Sequence, residues 1–451
     1  MKIQVAKLRN NVATLQPVVP KKTSLPILKN ILFKDGAIRA TNLETEVSIK
    51  IPEVGGDAFL MNHRMLSDLL KYVPGDLAIT LEYANKMVKA SWNGGKASYV
   101  VPDYKDYPDT ALRAPASEAV LSGDALIGAL VDALPYAATE DARPVLHAVA
   151  VHLDENIIQV CGADGFRACL ESLKLSYPVK QTIIVPLETI SILEHVWKKA
   201  PGRPGVEFSL VAQLSSARKF KLGLWQPSEN DPNRTSMSIE FGNITLVSQL
   251  VSGTYPDTLA LLNGMKEPTK VTFFGPDLFT AVKRLAGIAE EGSGIVKLLW
   301  DETKMTVSAS SAEIGDVEAE IPVLEGSQPG RIALSKKYLL EYLTGKEGMI
   351  TLGIERRDGP ALFHYGSRPI VAVMPMHAVW GDEPREEPKL EEPVAEDIHE
   401  DVQEEAEPTD EAEEAADEIT SSDEADLEPA YTGPPVATVE RIDIGNTSTG
   451  N

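Results

Sequence analysis

The sequence predicts an α+β fold of three similar domains in tandem, followed by a long acidic segment that belongs to none of them. Three observations lead there. Two distinctive segments recur about one domain length apart. Helical and strand periodicities alternate inside each recurring unit. Almost all of the net charge lies in residues 381–451.

The recurrence sets the frame. Ser24–Pro52 and Arg143–Ser172 share one plan, with Pro26 and Pro144 standing 118 residues apart. Each opens on proline and a branched apolar pair, then runs as an alternating strand. A turn follows, at Lys34-Asp35-Gly36 or Asp154-Glu155-Asn156, and then a second strand. Val100–Leu112 and Leu246–Leu262 form a second pair, and both carry Tyr-Pro-Asp-Thr ahead of a loop-like connection. A weaker third copy covers Gly294–Val323 and ends in the strand Arg368–Met376. Three units of about 127 residues each are of normal domain size. The expected boundaries are 1–116, 117–264 and 265–380, with 381–451 as a tail.

Within the units, apolar spacing predicts helices over Lys7–Val19, Arg64–Tyr72, Asp124–Ala138, Leu187–Lys199, Pro276–Glu290 and Ser335–Leu343. Asp124 and Ser335 suit N-caps, and Pro276 suits a first helical turn. Period-two alternation fills most of the rest, with a hairpin signal at Asn93-Gly94. Two helices and about eight strands are expected per unit. Gly202–Glu240 is longer than its counterpart in the first unit, which predicts an enlarged hairpin or loop.

The formal net charge is −24. Residues 381–451 hold 25 Asp and Glu against 3 Lys and Arg, which leaves 42 acids and 40 bases for residues 1–380. The body is therefore nearly neutral, and its bases are available to gather on one face. The tail has few aromatics, regular prolines and excess like charge, so it is expected to be disordered, with transient helix near Val402–Ile419.

Several classes of function are disfavoured. No run of about 20 apolar residues is present to span a membrane. The first residues lack a secretory pattern, so a soluble cytoplasmic protein is expected. Cys161 and Cys169 make neither a disulfide framework nor a four-ligand zinc site, and no metal or cofactor is expected. Gly94-Gly95-Lys96 lacks the rest of a phosphate loop. Cys161, Cys169, His147 and Asp164 fall in one stretch, but nothing there forms a nucleophile motif. No catalytic residue is assigned.

Four segments carry a family resemblance. Leu25-Pro26-Ile27-Leu28 with Ala40-Thr41-Asn42-Leu43-Glu44 resembles the opening of bacterial DNA polymerase III beta subunits, the DNA sliding clamps. Ala163-Asp164-Gly165-Phe166-Arg167 resembles that family's T-D-G-H-R segment. Val251–Thr258 resembles its G-x-[FY]-P-D segment, and Val373-Met374-Pro375-Met376 its closing V-M-P-M. The order and spacing agree across residues 1–378.

The resemblance implies a head-to-tail homodimeric ring of six domains, with helices lining the pore and sheets outside. Such a processivity factor encircles double-stranded DNA without reading its sequence. It catalyses nothing, and tethers DNA polymerase, clamp loader and other partners through short peptides. DNA contact is then expected at Lys7, Arg9, Lys22, Arg143, Lys198, Lys199, Lys283, Arg284 and Lys336, with Lys21 and Lys337 beside them. The dimer contact is expected around Tyr107 and Ile288. The partner-peptide pocket carries over to Leu146, Gly165, Phe166, Arg167, Pro256, Leu261, Ser335, Tyr338, Val373, Met374, Pro375 and Met376, with Arg167 free to bond a peptide. Phe166 stands where the family has histidine, Ala260 where arginine is common, and Ala168 where a larger apolar residue is usual. Peptide preference is thus expected to differ from the glutamine-leucine-phenylalanine type. A tail leaving beside the pocket, at high effective concentration, is expected to hinder partners or screen DNA.

Overall fold

The structure is a computed structural model and describes residues 1–108, 115–140, 143–200, 218–225, 235–326 and 328–380. The acidic tail, its expected helix and most of the expected enlarged loop over Gly202–Glu240 lie outside the described residues.

Each repeat is built from a strand, a helix and a three-strand meander, used twice. The first contains β1 (Lys2–Gln4), α1 (Val5–Leu15), β2 (Asn30–Lys34), β3 (Ala37–Thr41) and β4 (Thr45–Lys50). Its second half contains β5 (Phe59–Asn62), α2 (His63–Tyr72), β6 (Ala78–Ala84), β7 (Met87–Trp92) and β8 (Gly95–Val100). The second repeat begins with β9 (Ser117–Ser122), α3 (Gly123–Ala133), β10 (Ala148–Leu153), β11 (Ile158–Ala163) and β12 (Arg167–Leu173). It continues as β13 (Gln181–Pro186), α4 (Leu187–Lys199), β14 (Lys219–Trp225), β15 (Ser236–Phe241) and β16 (Ile244–Gln249), then α5 (Thr258–Gly264). The third has β17 (Thr269–Phe274), α6 (Gly275–Glu291), β18 (Ile295–Trp300), β19 (Lys304–Ser311) and β20 (Gly315–Pro322). The short β21 (Glu325–Gly326) precedes β22 (Gly330–Ser335), α7 (Lys336–Leu343), β23 (Met349–Ile354), β24 (Ala361–His364) and β25 (Ile370–Val373).

The turns explain the meanders locally. Asp35 and Gly36 both take positive φ, 49° and 73°, as a two-residue hairpin between β2 and β3 requires. Gly94, at φ 104°, does the same after Asn93, where Trp92 pairs with Gly95.

Four sheets result. Two have four strands, β1-β6-β7-β8 and β20-β19-β18-β22. The other two cross between repeats, as β5-β2-β3-β4-β16-β15-β14-β9 and β13-β10-β11-β12-β25-β24-β23-β17-β21. The inner faces of the sheets bury Ile31, Phe33, Phe220, Phe273 and Phe363. Helices α1, α3 and α6 add Leu8, Leu130 and Leu285 to the same core.

Helix boundaries depart from the expectation in three places. The first helix stops at Leu15, not Val19, because Pro17 has no N–H to extend the ladder. The third stops at Ala133 and tightens to a 3-10 turn over Leu134–Tyr136 around Pro135. Ser122 holds the N-cap expected of Asp124. The Asp124 carboxylate instead accepts Trp197 Nε1–H at 2.9 Å and the Arg218 backbone N–H at 3.2 Å. Ser335 is an N-cap by position, though its side chain makes no capping bond. Helix α5 replaces the expected loop, with Asp257 accepting the Ala260 N–H at 3.0 Å.

Candidate docking groove and the joints between repeats

Both crossings between repeats use the same strand positions. Counting paired residues outward from the helix-capping residues makes Thr45, Arg167 and Gly315 equivalent. The same count makes Ser248, Val373 and Tyr99 equivalent. At the first joint β4 pairs antiparallel with β16, setting Thr45 opposite Ser248. At the second, β12 pairs with β25 and sets Arg167 opposite Val373. A matching backbone bond continues each ladder, from Gln249 N–H to Glu44 O at 2.9 Å and from Met374 N–H to Phe166 O at 2.8 Å.

The side chains differ. At the first joint Thr45, Thr189 and Ser248 are buried and share hydroxyl contacts of 3.1, 3.1 and 2.7 Å. At the second joint the Arg167 guanidinium donates to Asp164 Oδ2 at 2.9 Å, to Pro135 O at 2.7 Å and to Glu341 on α7. It also lies over the rings of Tyr338, at 4.6 Å, and Tyr136, at 5.5 Å. Burial works against the Arg167 charge, but Asp164 and Glu341 outweigh it and hold the group above its usual pKa. Arg368 adds an ion pair with Asp132 at 2.6 Å.

A cavity of about 660 Å³ opens at this second joint. Leu146, Phe166, Arg167 and Tyr338, four residues of the pocket that the resemblance implies, line this cavity. Phe166 is largely exposed and stacks on Tyr338 with centroids 6.4 Å apart. Gly165 beside it takes φ 96°, which lets the turn after Asp164 close. The other expected residues do not line the cavity. Met374 and Met376 are exposed on the segment after β25, with Pro375 half-buried between them. Pro256 and Leu261 are exposed around α5, next to Tyr255 and Leu262, which pack with Leu146. Ser335 is half-buried at the start of α7.

Two pocket expectations are corrected. Val373 is 1% exposed, because its place opposite Arg167 turns its side chain into the core. Arg167 is committed within the chain rather than open to a peptide: its side chain is 9% exposed, and three of its five N–H groups already bond Asp164, Glu341 and Pro135. Sequence reasoning missed Pro135, Glu140 and Glu341 as lining residues. The Leu-Pro-Tyr break after α3 was the available signal for the first.

The expected cations divide in the same way. Lys22, Arg143, Lys198, Lys199, Lys283 and Arg284 are exposed, Arg143 at the rim of the cavity and Lys198 paired with Glu194 on its own helix. Lys7 is exposed and paired with Glu53. Arg9 is corrected: its guanidinium closes the end of α2, donating to Leu70 O at 2.9 and 2.6 Å and to Val73 O at 2.6 Å. Lys336 is also corrected, being half-buried, paired with Glu290 and 3.4 Å from Ala286 O.

Tyr107 is likewise corrected as a surface contact. It is 5% exposed, accepts the Thr41 N–H at 3.2 Å and donates to Asn30 O at 3.3 Å. Tyr255, in the second Tyr-Pro-Asp-Thr copy, is buried too, so the motif supplies a core plug. Ile288 is half-buried on α6. Cys161 is buried 2.9 Å from Thr258 Oγ1, and burial pushes its thiol up to about 11. Among the described residues no cluster of three His, Cys, Asp or Glu side chains is arranged to hold a metal ion, and no helix is long and apolar enough to cross a membrane.

Solved structures share the fold. The DNA polymerase III subunit beta of Pseudomonas aeruginosa superposes with a TM-score of 0.71 at 20% identity, covering 84% of this chain and 100% of that one. The beta subunit of Thermotoga maritima also gives 0.71, at 19% identity, covering 84% and 99%. The fold is thus that of the sliding clamps, with repeated α+β domains. Residues 125–257 match the family model for the DNA polymerase III beta subunit, central domain. The beta sliding clamp of Caulobacter vibrioides is 23% identical over 354 residues, 75% of this chain and 88% of that protein. That of Staphylococcus aureus is 24% identical over 350 residues, 73% and 85%. By sequence and by fold this chain is similar to the bacterial DNA polymerase III beta subunits, the family its motifs resemble.

Proposed function

We propose that this chain is a DNA sliding clamp, a non-catalytic processivity factor that acts in the cytoplasm as a closed homodimeric ring. Its domains span residues 1–116, 117–264 and 265–380, and residues 381–451 form a separate tail. The observation that carries the reading is the repeated joint. A three-domain chain with two joints of the same register leaves one unmatched strand at each end of the series, β8 and β20. Applying the same register to a second copy sets Gly315 opposite Tyr99, Ile314 opposite Val100 and Glu318 opposite Lys96. Ile314 and Val100 are 58% and 82% exposed in the single chain, so the rule brings together two apolar side chains that otherwise face water. It also opposes unlike charges. A head-to-tail contact of this kind closes when two copies complete the circle, and it covers both open sheet edges.

A closed ring holds DNA by topology, so it needs only weak, sequence-blind attraction. Lys22, Arg143, Lys198, Lys199, Lys283 and Arg284 supply exposed positive charge for that. The groove at the second joint then takes short peptides of a polymerase, a clamp loader or other partners. Phe166 gives it an aromatic wall in place of histidine, and the exposed Met374, bonded to Phe166 through the backbone, offers adaptable apolar surface next to that wall.

The test is retention on DNA. The full chain should sediment as a dimer, twice the 48.9 kDa of one chain. Once loaded, it should stay on nicked circular DNA at moderate salt and slide off when that DNA is cut. A monomer, or equal retention on cut and uncut DNA, overturns the reading. Neutralising Lys198, Lys199, Lys283 and Arg284 together should impair loading or retention and leave the dimer intact.

A further inference from the structure

The chain does not stop being held after β25. Met374 N–H bonds Phe166 O at 2.8 Å, and Met376 N–H bonds Ala333 O at 2.8 Å on the open edge of β22. Three residues later Lys297 Nζ donates to Val379 O at 2.7 Å. The Trp380 ring then lies against two cations, with the Arg331 guanidinium 4.9 Å and the Lys297 ammonium 5.6 Å from its centroid. Residues 374–380 form no strand of their own. They make a strap that starts at β12 in one sheet and ends over β18 and β22 in another.

We propose that Trp380 is a positioning residue for the partner groove. It acts by locking this strap and so fixing Met374, whose N–H is bonded to the groove-lining Phe166, and Met376 two residues on. The proposal rests on the reading of the second joint as the peptide site. Methionine has three rotatable bonds, and a methionine on an unpaired segment samples many positions. The strap is anchored at both ends instead. At its start Met374 is tied to Phe166, the aromatic wall. In its middle Met376 is tied two residues before Ser335, where α7 with Tyr338 begins. At its end the indole face attracts both cations, a contact that favours tryptophan over smaller rings and needs no hydrogen bond. Without the indole, the end of the strap keeps only the Lys297 bond to Val379 O, and a peptide must then order the segment beside Phe166 as it binds.

The experiment uses the full chain and a fluorescein-labelled peptide of the glutamine-leucine-phenylalanine type, read by anisotropy. Trp380→Ala should weaken binding roughly three- to tenfold, with dimer mass and melting temperature unchanged. Trp380→Phe, which keeps a ring for the two cations, should recover most of the affinity. Hydrogen exchange at the Met376 amide should quicken in the alanine variant only. Wild-type affinity in Trp380→Ala, alongside a loss in Met374→Ala, overturns the positioning role and leaves the groove standing. Equal losses in Trp380→Ala and Trp380→Phe overturn it as well. If neither Trp380→Ala nor Met374→Ala alters binding, the groove assignment itself fails.

Discussion

The two joints inside the chain share a register and differ in chemistry. The first is sealed by three buried hydroxyls, Thr45, Thr189 and Ser248. The second places Arg167 at the Thr45 position and Tyr338 at the Thr189 position, with Val373 in place of Ser248. Small neutral groups let the elements close on one another. A guanidinium and the Tyr338 ring stand there instead, and a cavity of about 660 Å³ lies at the second joint. The backbone pairing therefore sets how the repeats join, while the side chains at these positions decide whether a joint becomes a seal or a groove.

The comparison can be broken most severely at Arg167. Arg167→Met leaves Asp164 and Glu341 without their shared cation, and should cost about 3 kcal/mol in urea unfolding. A loss under about 1 kcal/mol would show that the charges are solvated well enough without it. The third, proposed joint ranks next. Reversing one charge, by Lys96→Glu or Glu318→Lys, should weaken the dimer roughly tenfold, or about 1.4 kcal/mol. Combining the two reversals should restore it, and sedimentation equilibrium reads both. If the double variant stays as weak as either single one, the register is wrong.

The first joint should yield less. Thr189→Val keeps the shape and removes one hydroxyl from the triad, at a cost of about 1 kcal/mol by the same unfolding assay. That loss should not depend on salt, because no charge is involved. Arg368→Ala, which breaks a mostly exposed pair with Asp132, should cost under about 0.5 kcal/mol and vanish in high salt. A large salt-independent loss there would mean that Arg368 packs rather than pairs.

Six of the seven described helices were legible as apolar periodicity, since each buries one face along its whole length. Helix α5 was not, because seven residues show too little period to read, although Asp257 was present as its cap. The pocket was partly legible. Phe166 came from the Ala163–Arg167 segment and Tyr338 from the pocket the resemblance implies, and both line the cavity. Arg9, Lys336 and Tyr107 were misjudged for one shared reason. A long cationic or aromatic side chain reads as surface from its neighbours in sequence, yet Arg9 finds its carbonyl partners more than 60 residues away on α2.

By itself, the sequence determined the three repeats, the mixed helix and strand content and the confinement of acidity to the tail. These follow from local period and composition, which need no partner to be recognised. Only the tertiary structure decided which charges remain exposed, which tyrosines become plugs and which joint carries a groove. Those outcomes depend on groups brought together across sheets: Thr45 meets Ser248, and Arg167 meets Glu341 only after the repeats have docked. Burial and pairing then fix the role of a side chain that its own neighbourhood in the chain leaves open.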